Sequence, residues 1–151
     1  MLGELSEQQI DQVLNSQAVG RIGCYAEGTV YVVPVTYVYH DGCIYAHSSE
    51  GTKIRMMREN GQVCFEVEDI DNMANWRSVI AWGNYEELTE ASERDEAMRI
   101  LVNRISPLVI SETFRPHRQT MSRNVDEKEQ KNVVYRIRIQ RRTGRFEKSM
   151  A

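Results

Sequence analysis

The run from Thr29 to Tyr39, Thr-Val-Tyr-Val-Val-Pro-Val-Thr-Tyr-Val-Tyr, constrains the fold more than any other stretch of the chain. Apolar residues occupy both its odd and its even positions, so as a strand it is apolar on both faces. Such a strand must be covered twice, by a barrel interior on one side and by a further surface on the other. Pro34 has no N–H to give to a ladder and predicts an interruption or bulge within the run. A second apolar run, Ala18 to Ala26, precedes it across Glu27-Gly28, which reads as a tight hairpin. Asp41-Gly42 is the strongest turn signal in the chain and feeds a further strand, Cys43 to His47.

The remaining segments fit the same architecture. Ser6 and Gln9 form a capping-box pattern, followed by Ile10, Val13 and Leu14 on one helical face. A short helix is predicted over Thr52 to Glu59, with Ile54 and Met57 inward and Asn60-Gly61 as its stop. Gln62 to Val67 and Trp76 to Leu88 read as strands. Glu90 to Arg104 reads as an amphipathic helix with Ala97, Met98, Leu101 and Ile105 inward. Ser106 to Lys131, with Pro107, Pro116 and many charges, reads as loop with broken helix, and Val133 to Ile139 as the closing strand. About six mostly antiparallel strands with few helices give a mainly β chain built as a small barrel. A length of 151 residues suits one such domain over residues 1–151.

Composition narrows the function. The chain is 41% hydrophobic and 27% charged, which excludes global disorder, collagen and coiled coil. No apolar run reaches the roughly 18 residues of a membrane span, and no basic-then-apolar leader opens the chain, so a cytoplasmic protein is expected. A net charge of −3 and a pI near 5.7 argue against nucleic-acid binding driven by overall charge. The basic C-terminal stretch with Arg136, Arg138, Arg141, Arg142, Arg145 and Lys148 reads as a solvated edge-strand face rather than a nucleic-acid surface. Cys24, Cys43 and Cys64 each sit among apolar neighbours without CxxC, HxH or HExxH spacing, so they read as reduced packing residues and not metal ligands.

Two segments carry candidate chemistry. In His47-Ser48-Ser49-Glu50-Gly51-Thr52-Lys53 a strand ends, hydroxyls gather around a glycine, and a helix begins. Free N–H groups at a helix start, with Ser48, Ser49 and Thr52 nearby, form an anion site. Lys53 opposes the helix dipole at a cost of about 0.3–1 kcal/mol, and a bound phosphate would reverse that sign. Taken alone, these seven residues read first as an ordinary capped helix with a solvated lysine. The GxxxxGK[ST] pattern of a P-loop is absent. The second segment, Asn75 to Gly83, alternates Trp76, Ser78, Ile80 and Trp82 against Arg77, Val79 and Ala81. A core strand with a surface arginine accounts for Ile80 and Trp82 better than for Arg77 and Ser78, and Gly83 signals a bulge or a close backbone approach.

In order, Ala18-Val-Gly-Arg-Ile-Gly23, Val33-Pro34-Val35, Ile44-Tyr-Ala-His47-Ser48, Gly51-Thr52-Lys53, Val63-Cys-Phe-Glu-Val67 and Trp76-Arg77-Ser78-Val79 with Gly83 resemble the pyridoxamine 5′-phosphate oxidase-like FMN-binding split barrels. Within that superfamily the chain resembles the nitroimidazole-resistance related, flavin-nucleotide-binding branch, whose histidine His47 matches. The resemblance covers residues 5–90 well and Val133–Gly144 loosely. It implies a six-stranded antiparallel split barrel that pairs as a homodimer, with FMN in each of two interface clefts, and with FAD, a deazaflavin or haem as lesser alternatives. It also implies that Thr52 and Lys53 hold the phosphate and that His47, Ser48 and Ser49 line the ribityl chain or ring. Arg77, Ser78 and Val79 would contact the cofactor, and Pro34, Val35 and Thr36 would lie along the isoalloxazine.

Thr52 stands where pyridoxamine phosphate oxidases have arginine, and Ser78 where they have glutamine. Arg141-Arg142-Thr143-Gly144-Arg145 does not reproduce their substrate-binding tail, so vitamin B6 oxidation is disfavoured. The expected activity is transfer of a hydride or electron pair through FMN to a small acceptor such as a nitroaromatic or a quinone, with His47 as a candidate proton donor. A non-catalytic flavin- or haem-binding protein of the same fold is the alternative.

Overall fold

The computed structural model describes residues 1–108 and 132–150. The elements in chain order are β1 (Leu2–Glu4), α1 (Glu7–Ser16), β2 (Val19–Ala26), β3 (Thr29–Thr36), β4 (Val38–His40), β5 (Cys43–Ser49), α2 (Thr52–Glu59), β6 (Gln62–Asn72), β7 (Asn75–Glu87), α3 (Ala91–Ile105) and β8 (Asn132–Glu147). Ser106–Leu108 form a 3-10 turn, and most of the segment expected to be loop with broken helix lies outside the described residues.

All pairings are antiparallel, in the order β3-β2-β6-β7-β8-β5-β4, with β1 added beside β8. The two end strands, β3 and β4, are consecutive in the chain and separated only by Tyr37. The sheet therefore curls until its ends meet at that residue, which gives the mainly β barrel that the sequence predicts. Eight strands replace the expected six, because β1 is additional and the run from Thr29 to Tyr39 is divided in two.

The division does not fall at Pro34. Pro34 pairs with Arg21 without any register shift. Tyr37 N–H donates to Ala18 O, and Pro34 stands three residues earlier, so its nitrogen points away from β2 toward the open edge, where a missing donor costs nothing. The break comes at Tyr37, whose fully buried ring meets Phe65 edge-on at 4.7 Å and whose Oη donates to Leu14 O at 2.7 Å.

Local chemistry fixes the other elements. Ser6 Oγ accepts from Gln9 N–H while Gln9 Oε1 accepts from Ser6 N–H, so α1 begins with a complete capping box. Both two-residue hairpins place a residue and its glycine at positive φ, Glu27 (51°) with Gly28 (76°) and Asp41 (49°) with Gly42 (73°). This is the geometry that matches strand twist. Between Trp82 and Gly83 the pairing with β8 shifts by one residue. A Cβ on Gly83 would fall on the Arg138 carbonyl, so Gly83 marks both the bulge and the close approach that its place in the strand suggests.

Two apolar clusters result. Barrel-facing side chains including Ile22, Val35, Tyr37, Ile44, Phe65, Val67, Val79, Ala81 and Ile137 form the interior, plugged by Ile10, Val13 and Leu14 of α1 and by Ile54 and Met57 of α2. The outer face of β4, β5 and β8 packs Val38, Cys43, Tyr45 and Val134 against Ala97 and Leu101 of α3. Met98 and Ile105 lie partly buried at that contact. Cys24 and Cys43 are buried free thiols and Cys64 is half-buried.

Val79 and Ala81, not Ile80 and Trp82, are the core face of β7. The expectation that Ile80 and Trp82 pack in the core is therefore corrected. Isolated alternation cannot say which face of a doubly apolar strand turns inward.

Gly83→Ala is expected to lower stability by about 2 kcal/mol, because the added methyl meets main chain and not a movable side chain. Urea denaturation followed by circular dichroism measures it. A second expectation concerns Asp11, which accepts from Arg142 at 2.6 Å and ties α1 to β8. That bond holds its carboxyl below the usual range. A depressed carboxyl contributes stability above its unfolded pKa and loses it as pH falls through the folded value. The stability difference between wild type and Asp11→Asn should be constant above about pH 5 and shrink below about pH 4.

Candidate functional site

The barrel is split where its two end strands part. β4 pairs with β5 only as far as Val38↔Tyr45, so Ala46 to Ser49 have β8 on one side and no strand on the other among the described residues. β3 likewise has β2 on one side and an open edge on the other. These two edges border the split, and α2 begins directly after the β5 edge.

Lys53 lies in the first turn of α2 and is half-buried, close to Cys24 on β2. Cys24 Sγ in turn lies 3.7 Å from Tyr31 O on β3. Burial lowers the Lys53 pKa, and the nearby Cys24 opposes that shift. No hydrogen bond or ion pair engages its ammonium among the described residues. Unlike α1, helix α2 starts at Gly51 without a side-chain cap, leaving its first N–H groups to solvent or to a ligand. Tyr135, from β8, has its Oη buried inside the barrel without a hydrogen-bond partner. Burial pushes its pKa up, and Cys24 adds to the shift. Lys53 and Tyr135 thus both neighbour Cys24. Sequence reasoning missed Tyr135, because its place in the barrel follows only from the long-range pairing Ala46↔Tyr135.

The other predicted residues fall into place around this centre with differences. Ser48 continues the barrel-facing side of β5 after Ile44 and Ala46, whereas His47 continues the opposite side after Cys43 and Tyr45. His47 is exposed, with Nδ1 3.3 Å from Asn132 Oδ1. Ser48 Oγ donates to Ser49 O, and Thr52 Oγ1 accepts from Arg55 Nη2 at 3.4 Å. Ser49 and Thr52 are exposed. Pro34 and Thr36 lie exposed on β3, and Val35 faces the core. Since β3 runs from its hairpin toward α1, Pro34 to Thr36 border the far part of the same edge.

Arg77, Ser78 and Val79 are not brought to this place within one chain. β7 is the central strand of the order, so these residues occupy the wall opposite the split. Arg77 Nη1 donates to Gln12 Oε1 at 3.4 Å beside a cavity of ≈380 Å³ lined by Trp76, Phe146, Asp69 and Asp71. Val79 is fully buried, with β6 paired on one side of it and β8 on the other. Ser78 faces outward with Ile80 and Trp82.

That outward face, formed by β3, β2, β6 and β7, is covered by no described helix. It carries Val30 (72% exposed), Val32 (61%), Val19, Tyr25 and Ile80, with Trp82 stacked under Arg141 at 4.1 Å. Arg21 sits among them, Nη1 at 3.3 Å from Glu66 and 2.8 Å from Glu68. Desolvation, reinforced by the neighbouring Glu68, pushes the Glu66 pKa up to about 7. β8 is paired with β7 on one side and with β5 and β1 on the other, so the expected edge-strand face is corrected to an interior strand, and three of its basic residues are matched by acids. Arg136 and Arg138 both bind Glu86, and Arg142 binds Glu7 and Asp11. Among the described residues no cluster of three or more His, Cys, Asp or Glu is placed to hold a metal ion, and no helix is long and apolar enough to cross a membrane.

Known proteins share this architecture. A structure of an FAD-binding protein from Mesorhizobium loti is 28% identical and superposes with a TM-score of 0.75 over 97% of this chain and 98% of that one. A candidate 5-nitroimidazole antibiotic resistance protein from Bacteroides thetaiotaomicron has a TM-score of 0.74 at 20% identity, over 97% of this chain and 87% of that one. An uncharacterized protein of Rhizobium meliloti (strain 1021) is 30% identical over 84 residues, so the match spans about half of either chain, 56% of each. The family model described as pyridoxamine 5′-phosphate oxidase matches residues 6–146, nearly the whole length. With the split barrel, the open β3 edge and the Gly51-Thr52-Lys53 helix start in place, the chain belongs to the pyridoxamine 5′-phosphate oxidase-like family.

Proposed function

We propose that this chain is an FMN-binding flavoprotein that works as a homodimer and transfers electrons to a small acceptor such as a nitroaromatic or a quinone. The observation that carries the reading is Lys53: a half-buried cation with no acidic partner among the described residues, at an uncapped helix start beside an open strand edge. Desolvating a cation is costly without a counter-charge, and a phosphate supplies one together with acceptors for the α2 N–H groups. Thr52, Ser48 and Ser49 add hydroxyls within the same loop.

The residues fit the rest of such a cofactor. An isoalloxazine needs an apolar slot with main-chain donors and acceptors at its polar edge, and the β3 edge around Pro34, Val35 and Thr36 offers both. When bound, the flavin supplies the redox chemistry, accepting and releasing an electron pair. The chain's own part is to hold the phosphate on Lys53, orient the ring along β3 and exclude water. His47, exposed near the end of β5, is the candidate proton donor to the acceptor.

A second copy accounts for what one chain leaves apart. The apolar outer face of β3, β2, β6 and β7 is the surface such a copy would cover, and it carries Ser78 beside Arg77. Arg77 and Ser78 would then reach the flavin of the partner, with the buried Val79 holding that end of β7 in place. The FAD-binding name of the Mesorhizobium structure keeps FAD as the alternative nucleotide.

The purified protein should be yellow and release FMN on denaturation. Its flavin spectrum should bleach with NAD(P)H under anaerobic conditions and return on adding a nitroaromatic. A flavin inert to every reductant and acceptor would reduce the reading to a binding protein, and a Soret band would replace it with haem. Lys53→Ala should weaken FMN binding by about tenfold or more while leaving riboflavin, which lacks the phosphate, nearly unaffected. For the dimer, Val32→Glu places a charge on the exposed face without touching the barrel interior. Sedimentation should show a dimer for wild type and a monomer with reduced flavin retention for the variant; a monomeric wild type retaining flavin would contradict the shared site.

A further inference from the structure

The loop ahead of α2 contains a charge of the wrong sign for its proposed ligand. Glu50 lies between Ser49 and Gly51, inside the segment assigned above to the phosphate. An uncompensated carboxylate there would repel a phosphate and oppose the favourable field of Lys53 and the helix start.

Arg58, in the last turn of α2, meets that charge. Its Nη1 donates to Glu50 Oε2 at 2.8 Å and its Nη2 to Glu50 Oε1 at 2.7 Å, a two-pronged contact. The same guanidinium grips Glu87 at the end of β7, through Nε to Oε1 at 2.7 Å and Nη2 to Oε2 at 3.1 Å. Tyr85 Oη donates to Glu87 Oε1 at 2.8 Å and steadies that carboxylate. One side chain thus joins the loop, the helix and the barrel wall. Glu50 is largely exposed, so packing does not hold it in this position and the fork does. A lysine could not reproduce the arrangement, since an ammonium is a single point donor and the guanidinium presents two edges.

We infer that Arg58 acts on the phosphate site through Glu50: it draws that carboxylate onto its guanidinium and offsets its charge, so that Lys53, Arg55 and the α2 N–H groups dominate the field the ligand meets. The inference rests on the reading of Lys53 as the phosphate contact. It assigns the Glu50–Arg58–Glu87 cluster a role in cofactor affinity that surface ion pairs ordinarily lack.

Binding of FMN and of riboflavin to flavin-stripped full-length protein, measured by quenching of flavin fluorescence, tests it. Arg58→Ala should weaken FMN binding about tenfold and leave riboflavin binding within about twofold. Adding Glu50→Gln to Arg58→Ala should return FMN affinity to within about threefold of wild type, because the repelling charge is then gone. Arg58→Lys should fall between wild type and Arg58→Ala. Glu50→Gln alone, which leaves the fold of α2 intact, should bind FMN as tightly as wild type or tighter. Full FMN affinity in Arg58→Ala, no recovery in the double variant, or weakened FMN binding in Glu50→Gln alone would each overturn the inference. Lys53→Ala separates the two levels. If it too leaves the preference of FMN over riboflavin unchanged, the phosphate reading has failed; if it abolishes that preference while Arg58→Ala does not, only the role of Arg58 has.

Discussion

The architecture turns on closing one sheet at a single residue. β3 and β4 stand at opposite ends of the strand order and yet adjoin in the chain, with Tyr37 alone between them. Once that residue is anchored inside, by its hydroxyl on Leu14 O and its ring on Phe65, the sheet must curl far enough to bring both ends together. Closure near Tyr37 is tight because Val38 to His40 pair at once with β5. Away from it the end strands diverge, since β4 is only three residues long. A short strand at one end of a barrel therefore produces a split with two unpaired edges. Exposed edges invite association, and here they border the place where the chain gathers Lys53, Tyr135 and an uncapped helix.

The two halves of the outer surface are treated differently. Over β4, β5 and β8 the apolar residues are sealed by α3, with Ala97 and Leu101 at the contact. Over β3, β2, β6 and β7 comparable residues face outward uncovered. Burial there would contribute through apolar contact around a charged centre, Arg21 with Glu66 and Glu68. The raised pKa of Glu66 follows from its already partial desolvation beside a like charge. A single guanidinium serving two carboxylates leaves one negative charge in excess, so covering this face favours a proton on Glu66 or a further cation opposite it.

Features written in local chemistry were legible from the residues. The Ser6–Gln9 capping box, the Glu27-Gly28 and Asp41-Gly42 hairpins and the α2 boundaries all depend on neighbours within a few positions, and all stand where the residues indicate. Features set by long-range geometry were not. Pro34 signals an interruption because it lacks a donor, but on an edge strand that donor faces outward, and the break falls at Tyr37 instead. Ile80 and Trp82 look like core residues because they are large. Val79 and Ala81 take the interior because α1 and α2 already fill the barrel and the outer face lies open. The seven residues His47 to Lys53 hold the loop chemistry, whereas Arg58, Glu87 and Tyr135 enter only through pairings across the fold.

Departures from good folding practice gather at one place. A lysine is partly desolvated without a counter-ion, a tyrosine hydroxyl is buried without a partner, and valines on the neighbouring strand stand open to solvent. Each costs stability in the isolated chain, and each lies within the reach of Cys24 or of the β2–β3 hairpin that carries it. Elsewhere the same sequence takes care to pair its charges: Arg136 and Arg138 with Glu86, Arg142 with Asp11, Arg58 with two acids at once. A chain that satisfies its polar groups widely and leaves them unmet around one thiol is strained locally in a way that a ligand, and not a different packing of the same residues, would relieve. In the function proposed above, the phosphate would supply an anion for Lys53, the flavin ring an apolar body for the β3 edge, and a second copy a surface for the valines.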